Sequence, residues 1–396
     1  TQPISRRGLL VSAAAAAASS ALPFTLSADG MPKASGAPDV SLSYRPLPLK
    51  LAHTWTIARG SSDEKKNGLL TLTAEGVTGY GEAAANKRWN QSFETSEAAF
   101  ARVKGAVAGL SPWEHLTWLE RAEKEAGPDT EVVAALDLAL WDWKGKRLNR
   151  PVHELLGVPR GRMPVTTFSI GIDTAEVMKQ KVREAAAFPK LKIKIGLPND
   201  EENIAAIRSV TGKPITVDAN EGWTSVDEAK KKLAWLNTVK PLYLEQPMPA
   251  AMDGEMAKLK GLATFPILGD EGVLHASDLP SKAGLFDGVV LKLAKSGGIT
   301  RVYEMTAVAR ALGLKLMLGC MIESSLGIAA GVAVGPLFDW LDIDGNLLLA
   351  GDPFKGLSIA NGRWSLPDAP GLGVVMAAAW PGAFSSSARE RASAAR

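Results

Sequence analysis

The residues that could do chemistry in this 396-residue chain are charged side chains at the ends of short apolar runs. Lys192 and Lys194 lie in Leu191–Ile195, Asp218 follows Ile215–Val217, Glu245 follows Leu242–Leu244, Asp270 follows Pro266–Leu268 and Lys292 lies in Gly288–Leu293. From Lys194 onward the steps between them are 24, 27, 25 and 22 residues, about one strand-plus-helix unit each. Five charged groups thus fall on five successive strands at one height. Charged side chains are seldom buried without a partner or a metal. Singly, each carboxylate has an ordinary reading: Asp218 as a helix cap, Glu245 as a surface loop residue, Asp270 as one of two candidates beside Glu271. Together, three carboxylates on adjacent strands would repel unless a cation lay between them. Oxygen-only ligands favour Mg2+, with Mn2+ second.

Lys192 and Lys194 are two apart on a strand and face the same way. A lysine beside another ammonium in a pocket loses basicity, which makes it a usable base near neutrality. Lys292 lies four strands further on, opposite Lys194 in a closed barrel. Two bases on opposite faces of one carbon can remove a proton from one side and return it on the other. Lys295 competes with Lys292, but Val290 and Lys292 share a face, so Lys292 is preferred and Lys295 is read as a loop residue.

The elements that must position these groups follow from periodicity. Residues 41–160 read as α+β: a β-prone run at Leu69–Ala74, a turn at Glu75-Gly76, a returning strand, then helical spacing over 92–147. From Met163 apolar runs alternate with amphipathic stretches. The candidate strands are Val165–Ile170, the five above, Lys315–Leu318 and Leu341–Ile343. Candidate helices include Thr174–Ala187, Glu201–Val210, Val226–Leu236 and Ile299–Leu312. Eight such strands with about seven helices make a closed α/β barrel. An open doubly wound sheet would show a glycine-rich phosphate turn after its first strand, and none occurs. The expected domains are 41–160, 161–345, and a C-terminal segment 346–396 that returns to the first domain and ends in a disordered tail.

Composition narrows the function classes. One cysteine, Cys320, rules out an intramolecular disulfide and cysteine-based zinc sites. Forty-five basic against 42 acidic residues give a net charge of +3, no electrostatic case for nucleic acid. Residues 1–40 read as a signal and linker. Ser5-Arg6-Arg7-Gly8-Leu9-Leu10 precedes an alanine-rich apolar stretch ending at Leu26, too weak for a membrane anchor. Paired arginines there predict twin-arginine export, cleavage near Ala28 and a periplasmic location.

Lys192-Ile193-Lys194-Ile195-Gly196, Val217-Asp218-Ala219-Asn220-Glu221-Gly222-Trp223, Leu244-Glu245-Gln246-Pro247, Gly269-Asp270-Glu271 and Leu291-Lys292-Leu293-Ala294-Lys295-Ser296-Gly297-Gly298 together resemble the enolase superfamily, in its muconate-lactonising-enzyme subgroup. Gly269 and Gly272 depart from the alanine and serine usual around the Asp-Glu pair. The resemblance implies a modified TIM barrel, (β/α)7β, under an N-terminal α+β capping domain completed by C-terminal residues. It further implies Mg2+ on Asp218, Glu245 and Asp270, Lys194 and Lys292 as acid and base, Lys192 beside the ion helping to stabilise an enediolate, and a homo-oligomer.

Several chemistries share that scaffold: cycloisomerisation, o-succinylbenzoate synthesis, N-acylamino acid racemisation and dipeptide epimerisation. Asp342 and Asp344 face one way at the end of the last strand, with no obvious ion of their own, and call for a cationic ligand such as a free α-ammonium. Gly319-Cys320-Met321-Ile322-Glu323-Ser324-Ser325 with Asp342-Ile343-Asp344-Gly345 resembles dipeptide epimerases, which puts Cys320 and Glu323 at the substrate. Glu323 would orient a lysine or the substrate, or else cap the following helix. His53–Gly60 resembles the flexible loop of Ala-Glu epimerases, where Arg59 would meet a glutamate side chain or else be a plain surface arginine. Trp55 or Trp89 is expected in the same pocket. The sequence therefore predicts an Mg2+-dependent epimerase of L-Ala-D/L-Glu or related murein dipeptides. A non-catalytic exported binding protein is the reading furthest from the lysine pair.

Overall fold

A computed structural model of the chain describes residues 39–378. The expected export signal and cleavage site, and the last residues of the expected tail, lie outside them.

The chain begins with an antiparallel meander, β1 (Val40–Ile57), β2 (Gly60–Ala74) and β3 (Val77–Ala83). The β2–β3 hairpin turns at Glu75-Gly76, both at positive φ (49° and 72°), the left-handed pair that matches strand twist in a two-residue loop. β1 and β2 pair to the hairpin tip at Ile57 and Gly60, with the register interrupted between Lys50 and Trp55. Three helices cover the sheet: α1 (Phe93–Ala106), α2 (His115–Ala126) and α3 (Thr130–Leu148). The helical stretch expected over 92–147 is broken twice, where Pro112 and Pro128 exclude helix from the residue before each. Ser92 and Thr95 cap α1 reciprocally. α3 is buried on nearly every side, between β3 and the barrel. Its close approach needs glycine: a Cβ on Gly81 would lie 1.8 Å from the Ala135 carbonyl oxygen, and one on Gly79 2.2 Å from that of Ala139.

After the short α4 (Val152–Leu155), eight parallel strands follow in sequence order: β4 (Phe168–Ile170), β5 (Leu191–Lys194), β6 (Ile215–Asp218), β7 (Leu244–Glu245), β8 (Ile267–Gly269), β9 (Gly288–Lys292), β10 (Lys315–Gly319) and β11 (Trp340–Asp342). All eight expected strands are present, their ends shifted by up to three residues from the expected bounds. A parallel bridge between Thr166 and Leu341 joins the first strand to the last, so the sheet closes. The connections are α5 (Ala175–Glu184), α6 (Asp200–Arg208), α7 (Val226–Val239), a 3-10 run at Ala250–Leu259, the short α8 (Leu279–Lys282), α9 (Ile299–Ala311) and α10 (Ser325–Val334). Two of the seven are thus not full α-helices. Tyr243, Leu268, Val290 and Met317 form an apolar floor inside the barrel. Outward-facing residues of the strands pack under the helices, which is why the strands read as unbroken apolar runs.

The segment beyond β11 returns to the first domain. Leu349 bridges Leu51, the Leu372 amide donates to Asp142 of α3 at 2.9 Å, and Phe354 meets Tyr80 edge-on. Among the described residues no helix is long and apolar enough to cross a membrane.

Candidate active site

Strand alternation builds the site. On β5 the inward positions are Lys192 and Lys194; one register step away Lys194 pairs with Asp218, and Asp218 with Glu245 on β7. Asp270 lies just past β8, and Lys292 ends β9. β5 and β9 are four strands apart in eight, so Lys194 and Lys292 approach the mouth from opposite sides. All of these side chains are buried, and Lys192, Lys194, Lys292, Asp342 and Asp344 line one cavity of about 690 Å3 under the capping domain.

Within it the charges pair closely. Lys194 Nζ donates to Asp218 at 2.6 Å, and Lys292 Nζ to Asp270 at 2.5 Å. Lys192 Nζ lies between Glu245 and Asp342, 2.6 Å from each, and 3.1 Å from Asp218. Burial alone would strip these ammoniums of their protons, yet the carboxylates outweigh it. Lys192 is held well above its ordinary range by Asp218, Asp342 and Glu245, and Lys292 is raised by Asp270 and Glu245. The loss of basicity expected for adjacent lysines on one strand is therefore overturned for Lys192. Burial likewise opposes ionisation of Asp218, but Lys192 and Lys194 hold it below the usual carboxylate range. Glu245 goes the other way, to about 8, through burial and the Asp218 charge beside it.

Lys295 lies in the turn after β9, as expected of a loop residue. It is fully buried, and its Nζ donates to the Asp270 carboxylate and carbonyl, both at 2.6 Å, and to the Val290 carbonyl at 3.0 Å. Its chain turns back after β9, so its ammonium supports Asp270 from behind. Asp270 is further fixed by its amide, which donates to Gln246 Oε1 at 2.6 Å.

Asp342 and Asp344 need a second correction. Asp342 already has a cation, Lys192, and it also accepts from the Thr167 hydroxyl at 2.5 Å. Only Asp344 lacks one. It accepts from the Ser169 amide at 2.6 Å and hydroxyl at 3.3 Å, and burial with the Asp342 charge pushes it up to about 7. Thr167 and Ser169, on and before β4, are partners of this pair that spacing along one strand could not supply.

Cys320 lines the cavity wall beside this pair; burial, Asp344 and Glu323 push its thiol well up, so it stays protonated. Glu323 is buried, accepts from the Met321 amide at 3.3 Å and is pushed to about 8 by burial and Glu82. It does not cap α10; the Ser324 side chain does. Glu82, from β3, carried no sequence signal. It accepts from Ser324 (2.5 Å from Oγ), Asn67 and Gly327, tying the capping sheet to the end of β10. Trp55 lines the cavity with the Lys194 ammonium 5.8 Å from its ring centre, whereas Trp89 is not part of that wall.

Arg59 lies at the rim with its guanidinium engaged. One nitrogen, Nη1, donates to Glu271 at 2.7 Å, to the Asn220 carbonyl at 2.8 Å and to Glu221 at 3.2 Å. Arg88 grips Glu221 with two nitrogens, Nη2 at 2.8 Å. Asn220 and Glu221 both adopt positive φ (44° and 66°), which turns these groups toward the capping domain. Gly272, one departure from the usual motif, has a local reason: a Cβ there would meet the Asp253 carboxylate at 2.7 Å.

Among the described residues, no three carboxylate, imidazole or thiolate groups already stand as a metal-holding set, and ammoniums lie on Asp218, Glu245 and Asp270. The donors nonetheless suit a hard divalent cation. All three are buried oxygen ligands on adjacent strands, and Glu245 Oε1 has no hydrogen bond, with Lys292 Nζ 3.6 Å away.

A barrel with carboxylates on three successive strand ends, opposed lysines and an α+β cap defines a class of enzyme scaffold. Comparison places it more closely. Residues 44–157 match the mandelate racemase / muconate lactonizing enzyme N-terminal domain, and residues 173–380 match the enolase C-terminal domain-like family. The chain belongs to this family, the muconate-lactonising subgroup of the enolase superfamily. An L-Ala-D/L-amino acid epimerase of Pedosphaera parvula is 40% identical over 339 residues, 84% of this chain and 97% of that one. An L-Ala-D/L-Glu epimerase of Bacteroides thetaiotaomicron is 36% identical over 337 residues, covering 85% and 88%. The crystal structure of a dipeptide epimerase from Enterococcus faecalis, complexed with Mg and L-Leu-L-Tyr, superposes with a TM-score of 0.79 at 27% identity, covering 84% and 98%.

Proposed function

We propose that this protein is a dipeptide epimerase, an isomerase that inverts the α-carbon of the second residue of a small dipeptide. The observation that carries the reading is the pair of lysines approaching one mouth from opposite sides, Lys194 and Lys292, with two carboxylates, Asp342 and Asp344, at the end of β11. The relatives' activities support it.

Asp218, Glu245 and Asp270 would hold Mg2+, with Mn2+ as the second choice by donor chemistry. When bound, the ion supplies positive charge to the substrate carboxylate, which acidifies the adjacent C–H. The chain's own residues do the rest. Asp344, with Asp342 beside it, receives the dipeptide ammonium; that cation supplies the countercharge Asp344 lacks. One of Lys194 and Lys292, as the free amine, takes the α-proton from one face. The other, as the ammonium, gives a proton to the opposite face, and the roles exchange in reverse. Lys192, fixed between Glu245 and Asp342, keeps a positive charge beside the developing enediolate. The capping domain closes the mouth and limits water.

Export by the twin-arginine route to the periplasm, where murein dipeptides would be substrates, is part of this proposal, as is a homo-oligomeric state. Both rest on the sequence motif and the family resemblance.

The test is proton NMR in D2O with Mg2+-loaded protein and a set of L-Ala-L-Xaa dipeptides. Loss of the second residue's α-proton signal with growth of the other diastereomer establishes the activity. Exchange confined to N-acylated amino acids would assign the protein to racemisation instead and remove the ammonium role of Asp342 and Asp344.

A further inference from the structure

The relatives named above differ in the second residue they take, so the wall facing that residue should carry the selection. In this chain the capping domain lines the cavity with five cations. Three are matched: Arg59 and Arg88 lie on Glu271 and Glu221, and Lys66 donates to Glu94 at 2.7 Å. Lys65 and Lys87 also line the cavity, and among the described residues neither has a carboxylate at ion-pair distance.

Their placement is specific. Lys65 lies on β2 two residues before Asn67, on the same strand face, and Asn67 Nδ2 donates to the Ile322 carbonyl just past β10. Lys87 follows Asn86, whose Nδ2 approaches Met321 Sδ at 3.3 Å. The residues beside both lysines thus touch the segment just past β10, the strand next to the one that carries Lys292. Lys65 is half-buried; burial first and the Lys87 charge second depress its basicity. Two ammoniums on one cavity wall, Lys65 half-buried and Lys87 exposed, disfavour each other until an anion joins them. Of the acidic groups that line the cavity, Glu94 is committed to Lys66 and Asp342 to Lys192, Asp344 accepts from the Ser169 amide, and Glu64, next to Lys65 on the strand, is not at ion-pair distance from either lysine.

We propose that Lys65 and Lys87 form the receptor for a carboxylate on the side chain of the epimerised residue, and that Arg59 is a strut between capping domain and barrel. This rests on the dipeptide-epimerase reading and narrows it to substrates of the Xaa-Glu or Xaa-Asp type.

The experiment compares kcat/KM for L-Ala-L-Glu and L-Ala-L-Gln, two side chains of equal size, with the Mg2+-loaded full protein and its variants. Lys65→Gln should lower the Glu/Gln ratio of kcat/KM about tenfold or more, mainly through KM for the acidic dipeptide. Lys87→Gln, at an exposed position where folding is not at stake, should lower the same ratio by several-fold. Arg59→Gln should leave the ratio as it is while reducing both rates. A ratio unmoved by both lysine variants, or one that falls with Arg59→Gln alone, overturns the proposal. Wild-type protein that epimerises neutral dipeptides but not acidic ones overturns it too and leaves the epimerase reading standing. No α-proton exchange with any dipeptide removes that reading and this one with it.

Discussion

Asp342 joins two functions in one carboxylate. Its Oδ2 takes the Lys192 ammonium and its Oδ1 the Thr167 hydroxyl, so it fixes a lysine at the barrel mouth while standing beside Asp344, the proposed ammonium receptor. Asp342→Asn should cut dipeptide turnover by about 100-fold and lower stability by about 3 kcal/mol, since a buried ammonium is left short of a counterion. Steady-state polarimetry and chemical denaturation would check both; turnover within threefold of wild type would refute the assignment. The opposed lysines make a sharper prediction. Lys194→Ala and Lys292→Ala should each lose epimerisation by about 1,000-fold. Each should still wash deuterium from solvent into one diastereomer, and the two variants should choose opposite ones. NMR in D2O showing the same diastereomer exchanged by both would rule out a two-face mechanism. At this scale the sequence was largely legible: strand-end spacing located the lysines and carboxylates. It could not show that Lys295 folds back under Asp270, because a turn that buries an ammonium leaves no periodic mark.

Helix α3 shows how elements hold the frame. Glu131, in its first turn, is buried; Oε1 accepts from Ser96 at 2.5 Å, while Oε2 has no partner among the described residues. Burial raises its carboxyl from 4.5 to about 7, with the Ser96 hydrogen bond only partly opposing. A carboxyl raised on folding contributes stability that is fully present below its unfolded value and is lost as pH rises through the folded value. Stability should therefore fall between about pH 4.5 and 7 on account of this group. Glu131→Gln should flatten that slope and be more stable than wild type at pH 8 by about 1–3 kcal/mol, with no gain at pH 4. Urea denaturation across this pH range reads it directly, and parallel curves would show that Glu131 is not the group involved. On the neighbouring strand, Gly81→Ala would push α3 from β3 and should cost about 1–3 kcal/mol. Melting temperature reports that, and an unshifted melt would contradict the close contact.

At the scale of the whole molecule, the capping domain and barrel are joined by buried polar contacts. Glu82 holds the start of α10, Asp137 of α3 accepts from the Thr300 amide and hydroxyl at the start of α9, and Arg88 and Arg59 hold the Asn220-Glu221 turn. Arg88→Ala should raise KM several-fold and speed hydrogen exchange at residues 57–62 and 218–222, with a stability loss of about 1–2 kcal/mol. Hydrogen exchange by mass spectrometry that leaves both segments protected would show that this contact does not govern the mouth.

The sequence by itself determined the architecture and the inventory of reactive groups. Strand and helix periodicity repeats every unit, and a charge at the end of an apolar run marks the barrel mouth wherever the unit falls. Which group answers which was decided by tertiary structure alone. Lys192 and Asp342 are 150 positions apart and meet because the barrel closes; Arg59 and Arg88 meet Glu221 because the meander folds over the rim. In a water-poor mouth an ammonium takes whichever carboxylates closure brings within reach, and that proximity has no counterpart along the chain.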